Sequence, residues 1–397
     1  MSHRFHFPAA THATLGTLLA LLAAQPALAL LRFNDGRDQV YVTAYIAAGY
    51  DSNIYTTADA VADFTISSGA GIEYARKAGL IGVNAALNWD FTSFVENSDE
   101  NSLNPSASLE FSKGTGRTTG AIQFNAQRDS RADPTIGLRT ESWDYGVNLN
   151  LRYPVIERYT IAANIGWAHI DYVDDTNTLS DLSTYTIGTD LFYSWRSDRD
   201  LLAGYRYRIG DAQFDSTSTD HSVYVGVAGR IVSKLSGTAR IGVTHHTVNY
   251  PGDIPESSDN GFYASVSGTW PASQKASFTL TLTEDFDTTA SNFQTRATTA
   301  ELLGQFSHTV KFSTSANLGG GFTEYISGYG AGSSAPTQGF NGRDRDDHYL
   351  SAGVGAAYSF NNHFTLSANY DYFRNWSNLS DFEFARHTFT VTLSTRW

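Results

Sequence analysis

The chain has 397 residues, no cysteine, a single methionine, and 27 basic against 40 acidic side chains, for a net charge of −13. Disulfide frameworks, thiolate metal sites and cysteine nucleophiles are thereby excluded, and an acidic balance argues against nucleic acid as a partner. Charged residues reach only 17% and aromatic ones 13%, which is little charge for a soluble domain and too many rings for a disordered one.

Residues 1–29 read as an export leader. Arg4 precedes the apolar run Ala13–Ala24, and Ala27-Leu28-Ala29 fits a small-x-small cleavage site. The run is too short to cross a bilayer as a helix. A short periplasmic segment, 30–37, follows. From residue 38 to 397 the chain alternates with period two, the signature of strands. Ile81, Val83, Ala85, Leu87, Trp89 and Phe91 share one face, for example, and Gly82, Asn84, Ala86, Asn88, Asp90 and Thr92 the other.

Eighteen such segments are predicted, at 40–50, 64–75, 80–94, 102–112, 118–128, 140–153, 159–172, 183–196, 201–210, 220–231, 235–248, 260–270, 276–286, 296–306, 310–324, 348–360, 364–375 and 385–397. Tight connections take turns with longer polar ones, of which Ile326–Asp346 is the longest and the expected constriction. Lysines cluster by the tight turns (Lys77, Lys113, Lys234, Lys275), and much of the acid falls in the long loops (Asp63, Glu96, Asp99, Glu100, Asp174, Asp175). No stretch sustains a helical period. The expected fold is all-β, a transmembrane up-and-down antiparallel β-barrel of about eighteen strands. An even strand number with alternating short and long connections is what such a barrel requires. Aromatic residues mark both ends of the apolar faces. Phe111, Tyr153, Trp195, Trp270 and Trp397 lie by the short turns; Trp89, Trp143, Trp167 and Tyr185 lie by the long loops. Amphipathic rings favour the two membrane interfaces.

The ending Phe389-Thr-Val391-Thr-Leu393-Ser-Thr-Arg-Trp397 resembles the C-terminal signal read by the outer-membrane barrel-assembly machinery. Gly49-Tyr50-Asp51-Ser52-Asn53-Ile54-Tyr55, after the first strand, resembles the opening motif of the putative β-barrel porin 2 family, as does the final hairpin with Tyr370, Tyr372, Asn375, Ser377 and Asn378. The resemblance implies an outer-membrane barrel and, because some relatives are encoded in exopolysaccharide operons, a role beside polysaccharide-export components.

With apolar faces outward, the inward residues are mostly Gly, Ser, Thr and Asn. The inward charges fall into two groups. Glu73, Asp90 and Glu110 form an acidic wall on the second to fourth strands. Arg196, Arg206, Arg208, Arg230 and Arg240 form a basic wall on the eighth to eleventh. Opposed walls would set up a transverse field favouring polar solutes, while arginines that simply neutralise neighbouring carboxylates are the plainer alternative. Inward Tyr41, Tyr45, Phe192, Tyr224, Tyr263 and Tyr349 either stack on sugar rings or fill the lumen. Catalysis has little support. Asp220-His221 and Asp347-His348 are adjacent in strands, so the two members of each pair point to opposite faces. The expectation is a multi-pass outer-membrane channel, porin-like, passing polar solutes and with a polysaccharide or oligosaccharide as preferred cargo. It is not an enzyme and carries no cofactor or metal. Its partners are outer-membrane lipid, lipopolysaccharide and the assembly machinery. A non-conducting adaptor barrel is the second reading, an outer-membrane hydrolase a distant third.

Overall fold

The computed structural model describes residues 29–76, 79–173, 179–212, 216–252, 255–328, 337–338 and 344–397. Residues 1–28 of the leader expected at 1–29, Lys77, Asp174, Asp175 and most of the loop within Ile326–Asp346 lie outside them. Among the described residues eighteen long strands run in order: β1 (Asp38–Asp51), β2 (Asp63–Arg76), β3 (Gly82–Phe94), β4 (Ser102–Lys113), β5 (Thr119–Asp133), β6 (Leu138–Ile156), β7 (Tyr159–Tyr172), β8 (Leu182–Arg196), β9 (Arg199–Ala212), β10 (Ser216–Val232), β11 (Leu235–Asn249), β12 (Ser257–Pro271), β13 (Ala276–Thr288), β14 (Phe293–Ser307), β15 (Phe312–Gly328), β16 (Arg345–Ser359), β17 (Phe364–Ser377) and β18 (Phe384–Arg396). Each pairs antiparallel with the next, and β18 returns to β1 from Thr43↔Arg396 to Asp51↔Thr388. The sheet is a closed barrel, which leaves no long edge to be hydrogen-bonded by lipid, where no donor or acceptor exists.

The expected apolar faces are the outer surface. Val223 and Val225 are each 58% exposed, Val243 63% and Val354 59%, values intelligible only for a wall that meets hydrocarbon. Rings rim both ends, with Trp270 on Phe278 and Trp397 on Phe364 at the short-turn end. Within the short segment 30–37, residues 31–33 fold back as a short strand on β1, Leu31↔Val40 to Phe33↔Asp38.

Both motifs that carried the family resemblance lie along the closing seam. At the long-loop end Arg386 Nε donates to Asp51 at 2.9 Å, Asn53 Nδ2 donates to the Ala385 carbonyl at 3.3 Å, and the Ser52 and His387 amides bond across to His387 O and Ser52 Oγ at 3.0 and 2.8 Å. At the short-turn end Val42 and Trp397 exchange both backbone bonds at 2.9 Å. Phe389, Leu393 and Trp397 stand exposed on the outer face of the same strand, with Val391 between them.

Two hairpins leave the wall at their long-loop ends. Pairing between β4 and β5 stops at Ser106↔Gln127, although both strands continue. Pairing between β12 and β13 stops at Ala264↔Glu284. The expected loops after residues 128 and 286 are therefore strand continuations closed by four-residue turns, 134–137 and 289–292. Pro105 sits at the first break; proline lacks the N–H that a ladder needs and belongs at strand edges. Both tips bury side chains, Ala132, Asp133 and Thr140 in one, Phe286, Ala290, Asn292, Phe293 and Gln294 in the other.

Candidate functional site: the lumen

The inside of the barrel divides lengthwise. Along β7–β12 it is filled. Phe192, Leu202, Tyr224 and Tyr263 form one buried cluster, with Ala162 and Ala228 against it. The β13–β14 tip packs onto the same side, its Ala290 against Tyr172, Leu182 and Ala212. Its Ala290 carbonyl accepts from Ser180 N at 2.8 Å, and Asn292 Oδ1 accepts from Ser216 Oγ at 2.6 Å.

Four of the five arginines of the basic wall are held by carboxylates on their own side of the barrel. Arg206 is buried and donates two bonds to Asp285 at 2.6 and 2.7 Å and one to Ser222 at 3.1 Å. Arg208 reaches Asp220 at 2.6 Å and Asp285 at 3.3 Å. Arg240 meets Asp190 at 2.8 Å. Arg230 lies 3.6 Å from Asp198 beside a short turn, and Arg196, over the Trp195 ring, lies at the same rim. The acidic residues are also engaged. Glu73 accepts from Arg396 at 2.7 Å across the seam, Asp90 from Tyr45 at 2.8 Å, and Glu110 from Asn84 at 3.3 Å and from Gln123. The transverse field expected from two opposed walls gives way to local ion pairs, because a buried charge is stable only beside its counter-charge. Pattern reading could not find Asp285, whose strand has left the wall, and Asp285 is what gathers Arg206 and Arg208.

The histidine pairs separate as alternation requires. Asp220 points inward and bonds His246 Nδ1 of the neighbouring strand at 2.6 Å, with the His246 ring stacked 4.5 Å from Phe286. His221 faces out and bonds the Tyr205 hydroxyl at 2.7 Å.

Along β1–β6 and β13–β18 the lumen is open. A cavity of about 1220 Å³ runs from the short turn at Pro271–Ser277 to the underside of the β5–β6 hairpin at Arg128–Ala132. Its wall carries Ser313, Thr314, Ser315, Ser367, Asn369, Thr388, Thr390, Thr392 and Ser394, a continuous band of hydroxyls and amides. Three inward tyrosines lie across glycines on the adjacent strand. A Cβ on Gly69 would come within 2.3 Å of the Tyr45 ring, on Gly204 within 2.4 Å of Tyr224, and on Gly321 within 2.4 Å of Tyr349. The missing side chains let these rings lie flat on the wall.

No curated protein matches the chain. Among solved structures it is similar to the FrpB iron transporter of Neisseria meningitidis (F3-3 variant), at 12% identity over 84% of this chain, with a TM-score of 0.47. The chain spans 62% of that protein's length. It is similar also to Pseudomonas aeruginosa OpdK, solved with vanillate (10% identity, 90% of this chain, 99% of that chain, TM-score 0.47), and to Pseudomonas aeruginosa OccK2 (9%, 90%, 97%, TM-score 0.47). The chain is a closed antiparallel β-barrel, and its residues 230–397, from the end of β10 to the C-terminus, match the family described as putative beta-barrel porin 2.

Proposed function

We propose that this barrel is a passive channel for hydroxyl-rich polar solutes, oligosaccharides first among them, with the long loops outside the cell and the short turns toward the periplasm. The observation that carries the reading is the cavity of about 1220 Å³ and its band of Ser, Thr and Asn side chains. Hydroxyls and amides both donate and accept, so they replace the hydration of a sugar at many weak positions without trapping it, as conduction requires. The charges that line the same cavity come in both signs, Asp51, Asp90, Asp129 and Asp371 with Arg128, Arg131, Arg139, Arg386 and Lys275, which favours a neutral or mixed-charge solute over a simple ion. The reading includes no chemistry on the solute and no cofactor.

The test is reconstitution. Liposomes holding the purified barrel should swell in isotonic maltose or a larger neutral oligosaccharide faster than empty liposomes. Planar bilayers should show small discrete conductance steps. Confirmed insertion with neither signal would reject the channel and leave the adaptor reading, in which the barrel docks a surface-polysaccharide apparatus.

A further inference from the structure

We propose that the β5–β6 hairpin is a movable leaf that closes the long-loop end of the lumen, with the β13–β14 hairpin as the fixed jamb it closes against and Arg345 as its latch. The proposal rests on the channel reading above and names the regulation of that same lumen.

The two hairpins differ in how they are held. The β13–β14 hairpin is tied to the wall by the buried Arg206, Arg208 and Asp285 network, by Arg208 to the Phe286 carbonyl, and by the bonds from Ser180 and Ser216. Breaking a buried charge pair leaves an unpaired charge in a poor solvent, so this hairpin stays in place. The β5–β6 hairpin is rooted more lightly, by the single ion pair of Arg139 with Glu100 at 3.0 Å. Beyond Gln127 it has lost its ladder with β4, and beyond Ser142 its backbone tie to the neighbouring wall, among the described residues, is the bond from Val173 N to the Glu141 carbonyl. Its turn is internally well formed, with Thr135 N on Asp133 Oδ1 at 2.8 Å, Gly137 N on the Asp133 carbonyl at 2.8 Å, and Gly137 at φ +68°. It is a rigid tip on two stems that pair with each other, from Ser130↔Glu141 to Asp133↔Leu138, and have left the ladders of the wall.

The tip is held shut from opposite sides. Arg345, wholly buried at the start of β16, donates from Nη1 to the Thr135 carbonyl at 2.7 Å. Six strands lie between β16 and β5 by the shorter way around the wall, so this bond crosses the mouth. The guanidinium is oriented by Asp347 at 2.6 Å and lies between the Tyr325 and Phe382 rings, 4.3 and 3.5 Å from their centroids. Phe293 and Tyr325 pack together with Phe382 against them, which brings the jamb to the same point. On the other side Arg139 of the leaf meets Glu100 at 3.0 Å and the Ile54 carbonyl at 3.4 Å, and lies over Phe94. A neutral carbonyl acceptor is a weaker partner than a carboxylate. The bond across the mouth is therefore the one that gives first, and the leaf swings on its stems while the jamb remains. Arg128, Asp129, Ser130 and Arg131 of the leaf form the ceiling of the cavity, so its opening joins the cavity to the outside.

The chain has no cysteine, which makes a single probe thiol clean. Ser315→Cys places one on the cavity wall in the short-turn half, and Asp59→Cys, on an exposed long loop, is the surface control. Intact cells are treated with a membrane-impermeant maleimide. The surface thiol should react at once, and Cys at 315 should be protected although a permeant maleimide reaches it. Adding R345A should raise impermeant labelling at 315 at least tenfold. A second variant, with residues 130–140 replaced by a short Asn-Gly turn, should do the same; it leaves Arg345 and the wall intact, so it decides the matter where R345A fails to fold. Labelling of 315 from outside at the rate of the surface thiol in the unaltered barrel, or protection that survives the shortened hairpin, overturns the leaf; a leaf that opens only briefly slows the maleimide and still lets solute through. The readout is independent of conduction when both are taken on the shortened-hairpin barrel: raised labelling with silent bilayers keeps the leaf and rejects the channel, while conduction with unaltered labelling does the reverse.

Discussion

The filled side of the lumen, along β7–β12, and the open side, along β1–β6 and β13–β18, are built from the same inward-facing repertoire of glycine, tyrosine, arginine and aspartate. On the filled side Tyr224 lies 5.0 Å from Tyr263, Arg206 and Arg240 stack on those rings, and both of these guanidiniums have their carboxylates close by. On the open side Tyr45 is flat on Gly69 and faces a band of hydroxyls. The difference arises from which hairpin folds in from the wall. The β13–β14 tip supplies Asp285 and Phe286 to the filled side; the open side receives only the underside of the β5–β6 tip. A barrel wall of small residues is thus neutral about whether it encloses a pore or a core, and an inward hairpin decides it.

Breaking the filled side should have the largest effect. D285A strands the buried Arg206 guanidinium and leaves Arg208 with Asp220 alone, and a loss of about 3–5 kcal/mol is expected, visible as a lower urea midpoint for the unfolding of the heat-modifiable barrel band. Mutating Arg206 and Asp285 together to leucine should recover much of that loss; a double variant as unstable as D285A would contradict the ion-pair account. Next comes the seam. D51N removes a charged partner from Arg386 and should cost about 1.5–3 kcal/mol by the same assay, with conductance unchanged. The comparison is sharpest in a matched pair. G69V should push Tyr45 off the wall into the open side and reduce sugar-driven liposome swelling severalfold. G204V does the same to Tyr224 on the filled side, where overpacking should cost about 1–3 kcal/mol of stability without altering flux. Equal effects on flux would show that the two sides are not divided. The smallest change is expected from T390V, which removes one hydroxyl from the open band and should slow oligosaccharide entry modestly, with stability within about 0.5 kcal/mol of the parent.

The wall was legible because its code is local. Val223 and Val225 alternate with Tyr224 and Gly226 whatever the rest of the chain does, so the eighteen strands follow from period two, and Trp270 or Trp397 marks a girdle by its place at a strand end. The site was less legible because its partners are distant in sequence. Arg206 and Asp285, or Arg345 and Thr135, meet only after the barrel has closed. The inward hairpins left no alternation to read, since Arg128, Asp129, Ser130 and Arg131 are polar on both faces, as are Gln294 and Thr295. Their burial comes from one another and from the opposite wall rather than from lipid. The unpaired stretch of β4 did leave one trace, Pro105, a residue that a fully paired central strand would exclude.

The seam has a consequence for how the molecule is made. Asp51 and Arg386 are 335 positions apart, near opposite ends of the barrel's sequence, and each is largely buried beside the cavity without its counter-charge until the other arrives. A wall lacking its last strand therefore ends in a bare carboxylate, and one lacking its first ends in a bare guanidinium. Neither edge can be sealed by lipid or by a strand of another copy chosen at random. The ion pair thus acts as a check on completeness, made once per molecule, at the moment the cylinder shuts.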